Sequence, residues 1–127
     1  MEVFKTKFTA RFARRQRITD ESLIEAIERA ERDLIDADLG NGLIKQRVAR
    51  VGQGRSGGFR MLMVYRPRQR AVFIYGFAKN ERDNIGPDEL ATARYLTELW
   101  LSADTRRIEQ ALDDDEREEI FYGDEEA

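Results

Sequence analysis

Leu43-Ile44-Lys45-Gln46-Arg47-Val48, Gly58-Phe59-Arg60-Met61-Leu62-Met63-Val64-Tyr65 and Ala71-Val72-Phe73-Ile74-Tyr75-Gly76-Phe77 read as three consecutive β-strands, and they decide the fold. The first runs from Leu43 to about Val51 and is joined to the second by a glycine-rich loop; Pro67 sits in the turn before the third. In the second strand Phe59, Met61, Met63 and Tyr65 point one way and Arg60, Leu62 and Val64 the other. By the same alternation Ala71, Phe73, Tyr75 and Phe77 oppose Val72, Ile74 and Gly76. Neither face is polar, so these strands are central and carry helices on at least one side.

Outward from the strands, Val3 to Lys5 reads as a short edge strand. Phe8, Phe12 and Ala13 follow at helical spacing among Arg11, Arg14, Arg15 and Arg17. Thr19 or Asp20 caps a second helix predicted to reach about Ala37, with Leu23, Ile24, Ile27, Ala30, Leu34 and Ile35 on its apolar stripe. Glu25 with Arg29, and Glu28 with Arg32, pair on its wet face. Gly40, Asn41 and Gly42 are expected to stop it in the left-handed conformation. A third helix opens at Gly86-Pro87 and carries Leu90, Ala93, Leu96, Leu99 and Trp100. Ser102 to Asp104 interrupts it, and a weaker helix is expected from Thr105 to about Ile120. The division is therefore a body over 1–103 and an acidic helix and tail over 104–127, either part of the same domain or loosely attached.

A chain of 127 residues forms one domain that buries roughly two-thirds of its unfolded surface. Cys and His are both absent, which removes disulfides, thiol nucleophiles, Ser-His and Cys-His catalysis and the usual zinc sites. No apolar run approaches a membrane span and the charged N-terminus is unlike a signal peptide, so a cytoplasmic, membrane-free protein is expected. The net charge of −3 conceals an asymmetry: residues 1–79 hold 17 Lys/Arg against 9 Asp/Glu, and residues 80–127 hold 5 against 16. The acidic end is either a solvated terminal helix or a shielding, partner-directed segment.

The basic half is densest from Gly40 to Lys79, where Lys45, Arg47, Arg50, Arg55, Arg60, Arg66, Arg68, Arg70 and Lys79 occur without one carboxylate. Cations on strands are held at fixed spacing, which suits gripping a phosphate backbone. Gly52-Gln53-Gly54-Arg55-Ser56-Gly57 matches a dinucleotide-binding pattern, but a strand rather than a helix follows, so no helix N-terminus holds a pyrophosphate. A β-β loop remains, either a plain connection or one that offers amides and Arg55 to a phosphate.

Ile44-Lys45-Gln46-Arg47, Gly57-Gly58-Phe59-Arg60 and Tyr75-Gly76-Phe77-Ala78-Lys79-Asn80-Glu81-Arg82, in that order and spacing, resemble the RelE/HigB-like toxins of bacterial type II toxin-antitoxin systems. The resemblance implies a small α+β, RelE/ParE-like domain: an antiparallel sheet of three to four strands flanked by N-terminal helices and a C-terminal helix. It also implies mRNA cleavage, usually at the ribosome, and neutralisation by a cognate antitoxin, here expected to be of helix-turn-helix type. Lys45 and Arg47 match the family's Lys-x-Lys strand, Arg60 its Gly-Tyr-Arg arginine, and Lys79 the lysine ending its last strand. Two positions depart. Asn80 stands where RelE proper has arginine, and the catalytic tyrosine of RelE aligns near Gly86, which fits the HigB-like branch better.

RNA cleavage by its own 2′-OH needs a base at that hydroxyl, cations for the developing phosphorane charge and a donor for the leaving 5′ oxygen. No metal or other cofactor is required. Lys45 is the candidate base, Arg47 and Arg60 stabilise the phosphorane, and Lys79 or Arg82 serves as donor or clamp. Arg50, Arg55, Arg68, Asn80 and Arg82 are the candidate RNA-binding residues. Tyr75 and Phe73 either stack on bases or belong to the core. Two other readings stay open: a silent RNA- or ribosome-binding module that blocks translation by occupancy, and a ParE-like inhibitor of a protein target.

Overall fold

The computed structural model describes residues 1–50, 57–81 and 84–103 together with the backbone of 117–119. Strand β1 (Glu2–Thr6) leads into helix α1 (Lys7–Gln16) and α2 (Asp20–Glu31) follows. Then come β2 (Ala37–Gly40), β3 (Leu43–Val48), β4 (Phe59–Arg66), β5 (Arg70–Ala78), α3 (Pro87–Ser102) and β6 (Arg117–Glu119). The strands form one six-stranded sheet in the order β2-β3-β4-β5-β1-β6. The α+β class is as expected, with more strands than the three or four foreseen. The sheet is also not wholly antiparallel, because β1 runs parallel to β5. β1 is not an edge strand: β6 pairs on its outer side, and β6 lies within the segment expected to be helical. The rest of 104–127 falls outside the described residues.

Helix α2 ends at Glu31, earlier than expected. Arg32 caps it, Asp33 turns left-handed at φ 62°, and Leu34, assigned to the apolar stripe, is exposed. The chain thereby reverses early enough for Ala37 to Gly40 to pair with β3. Gly40, Asn41 and Gly42 do take positive φ, but they close the β2–β3 hairpin rather than a helix. α1 is capped by the Thr6 side chain and α2 by that of Thr19, each accepting an amide of the first turn. At the start of α3, Pro87 sits at the first position and the Glu89 carboxylate accepts the Gly86 N–H at 3.0 Å.

Both faces of the sheet are covered. On one, Val3, Ile44, Val48, Phe59, Met61, Met63 and Phe73 pack against Phe12 and Ala13 of α1 and Leu23, Ala26, Ile27 and Ala30 of α2. On the other, Phe4, Leu43, Leu62, Val64, Val72 and Ile74 pack against Ala93, Leu96 and Trp100 of α3. The expected alternation of β5 breaks halfway. Met63 pairs with Phe73 and Leu62 with Tyr75, so Ile74 is an extra residue, a β-bulge. Tyr75 and Phe77 therefore join Val72 on the α3 face instead of continuing the Phe73 face. Gly76 turns to the helical side, where an added Cβ would lie 2.6 Å from Met61 Sδ and 2.8 Å from Phe12.

Candidate nucleic-acid interface

The bulge assembles the candidate site. Arg47 is directly opposite Arg60, and Arg60 opposite Phe77; one step along, Lys45 opposes Leu62, which opposes Tyr75. Lys45, Arg47, Arg60, Tyr75 and Phe77 therefore occupy adjacent positions on the α3 face. Arg60 is 8% exposed, and its guanidinium donates to the Phe59 carbonyl at 3.4 Å. Lys45 is half-buried and Arg47 exposed. Lys79 and Asn80, both exposed, follow β5 at the same end of the sheet, where the Lys79 amide donates to the Gly58 carbonyl. Arg47 and Arg60 thus face each other across β3 and β4, with an Asp36 carboxylate oxygen 3.8 Å from the Arg47 guanidinium.

The backbone at Arg47 is held from behind. Arg29 of α2, assigned to a wet helix face, is buried. Its guanidinium donates to Glu25 at 2.8 Å, to Asp36 at 3.0 Å and to the Arg47 carbonyl. Asp36 also accepts the Arg47 amide at 2.7 Å, and one of its oxygens lies 3.8 Å from Arg47 Nε. Burial pushes the Asp36 carboxyl up, but the Arg47 amide and the Arg29 guanidinium outweigh it and hold the group below its ordinary 3.8. Gln46, fully buried beside them, donates to the Ala26 and Leu34 carbonyls and accepts the Asp36 amide.

Other cations of the basic stretch lie elsewhere. Arg50 is on the opposite face, its guanidinium 4.8 Å above the Phe59 ring. Arg68 stands in the β4–β5 turn, about 20 Å along the hairpin from Arg60 at ~3.3 Å per residue. Its amide donates to Glu31. Arg66 and Arg70, counted by sequence with the phosphate-seeking set, serve the fold: Arg66 donates to the Leu101 carbonyl, and Arg70 to Glu2 and to the Trp100 and Ala103 carbonyls. Cations at a helix C-terminus complement its dipole. Arg55 and Arg82 lie outside the described residues. Phe73 is fully buried core, whereas Tyr75 is half-buried and donates through its hydroxyl to Glu89. Gly86, at the position aligned with the RelE tyrosine, is the N-cap of α3.

Sequence reasoning missed Arg29, Asp36 and Phe8. Phe8 is half exposed and stacks on Tyr75 with centroids 5.7 Å apart and planes 7° from parallel. A signal for it was present: the buried stripe of α1 is Thr9, Ala10, Phe12 and Ala13, and Phe8 lies off it between Lys7 and Arg11. Arg29 and Asp36 gave no signal beyond an ordinary helix-surface pattern.

No individual curated protein matches the chain. Among the described residues, no helix is long and apolar enough to cross a membrane. A family model for the RelE toxin of the RelE/RelB toxin-antitoxin system matches residues 1–120, nearly the whole chain including every element that builds the basic face. The chain belongs to the RelE toxin family, and as such is the toxin partner of an antitoxin.

Proposed function

We propose that this toxin is a metal-independent endoribonuclease that cleaves mRNA, in association with the ribosome, by attack of the RNA's own 2′-OH. The observation that carries the reading is the cross-strand row of Lys45, Arg47 and Arg60 on one face, with Lys79 at the same end. Lys45 removes the 2′-OH proton. The 2′ oxygen then attacks phosphorus, the bond from phosphorus to the 5′ oxygen breaks, and Lys79 donates a proton to that leaving oxygen. Arg47 and Arg60 carry the added negative charge of the pentacoordinate phosphorus. The products are a 2′,3′-cyclic phosphate and a 5′-hydroxyl. Asn80, next to Lys79, with Arg55 and Arg82, would extend the grip on RNA outside this row, whereas Arg50 on the opposite face and Arg68 at the far end of the hairpin do not adjoin it. The antitoxin is of helix-turn-helix type and the compartment cytoplasmic on the same reading, and Asn80 and Gly86 align the chain with the HigB-like branch.

Arg60→Ala is expected to lose on the order of 100- to 1000-fold in single-turnover cleavage while RNA binding falls far less, because a guanidinium fixed by its strand stabilises the transition state more than the ground state. Arg60→Lys keeps the charge without the planar fork and should recover binding but little of the rate. Thermal melts followed by circular dichroism control for folding, since Arg60 is buried. Equal losses in binding and rate would assign Arg60 to holding RNA only and favour translation block by occupancy.

A further inference from the structure

We propose that the groove between the start of α1 and helix α3 is a nucleobase-binding subsite in which a base of single-stranded RNA stacks against Phe8. The groove has a volume of about 420 Å³, and its walls include the rings of Phe8, Tyr75 and Trp100, with Leu96 and Ile74 among its lining. It is separate from the cation row but continuous with it. Phe8 stacks on Tyr75, Tyr75 lies 6.5 Å from Phe77, and Phe77 is directly opposite Arg60. An aromatic path thus runs along β5 from the groove to the residues that face the phosphate.

Charge selects the occupant. Lys7 lines the groove, and Lys7, Arg11, Arg14 and Arg15 are exposed along α1; the first turn of that helix holds no acidic residue. An aromatic wall beside a cationic track is how proteins hold single strands, the rings taking bases and the cations the backbone. A half-exposed phenylalanine stacked on a second ring also keeps its orientation without a ligand, so little ordering cost remains when a base arrives.

The proposal takes only the identity of the polymer from the cleavage reading, and its test does not depend on cleavage. The probe is a single-stranded 2′-O-methyl oligoribonucleotide, which has no free 2′-OH to attack, compared with an abasic strand of equal length. Trp100 is the only tryptophan in the chain and lines the groove, so its fluorescence reports occupancy directly. The base-bearing strand should quench Trp100 saturably and the abasic strand should not. Phe8→Ala should weaken the base-bearing strand by about tenfold and leave the abasic strand unchanged, and Phe8→Tyr should bind like the parent. Absence of quenching, equal affinity of the parent for both strands, or equal weakening of both by Phe8→Ala would overturn the subsite. Arg60→Ala should keep the quenching, so failure of the cleavage reading and failure of the subsite give different results.

Discussion

Arg29 is a buried cation that reaches three acceptors, two of them carboxylates, Glu25 at 2.8 Å and the less exposed Asp36 at 3.0 Å. Removing one member of such a set strands the other in a poorly hydrated place, which costs more than the contact is worth in isolation. Asp36→Asn should therefore destabilise the fold by about 1–3 kcal/mol at pH 7. The pH dependence has a definite sign. The folded carboxyl titrates below its ordinary 3.8, so its contribution is present above 3.8 and is lost as pH falls through the lower folded value. Urea unfolding of parent and variant at pH 7 and at pH 3 checks this: the gap in stability should narrow in acid, and a gap that does not change with pH would show that the Asp36 charge is not the source. Little of this was legible in the sequence. Arg29 reads as the partner of Glu25 one turn earlier, which it is, but its burial depends on α2 ending at Glu31 and the chain folding back to bring Asp36 beside it.

The β4–β5 hairpin is the element on which the site depends. Its strands were legible because apolar and β-branched residues mark them, and Lys45, Arg47 and Arg60 were placed on strands for the same reason. The facing of Tyr75 and Phe77 was not legible. Strict alternation puts them opposite Arg60, whereas the extra residue at Ile74 turns them to its side. A bulge is decided by what packs on both faces, and no turn residue announces it here. Gly76 is the one visible trace. Its hydrogen is all that fits between Met61 and Phe12, so Gly76→Ala should overpack the core beneath α1 and cost about 1–3 kcal/mol, read as a lower melting temperature. The substitution points away from the Arg60 face, so RNA cleavage per folded molecule should persist. A variant that melts like the parent would mean that the close approach of α1 to β5 is slack. Gly40 and Gly42 teach a related lesson: their positive φ was read correctly, and the hairpin that needed it was not.

Across the whole molecule, cations of one sequence stretch divide by position on the sheet. Those at one end of the β4–β5 hairpin, Arg66 and Arg70, fasten the C-terminus of α3. Those at the other, Arg60 with Arg47 across from it and Lys79 nearby, share an end and make the proposed reaction site. Charge density in the sequence marks the stretch as cationic but does not show this division, because a cation's partner is set by where its strand ends. The claim that the second group cuts RNA is tested most directly by the chemistry of the ends it leaves. After induction of this chain alone, cellular messages should show new cleavage sites within coding sequence, each with a 5′-hydroxyl downstream and a 2′,3′-cyclic phosphate upstream, and these should vanish with Arg60→Ala. Arrested translation with intact messages, or new ends carrying 5′-phosphates, would contradict the account.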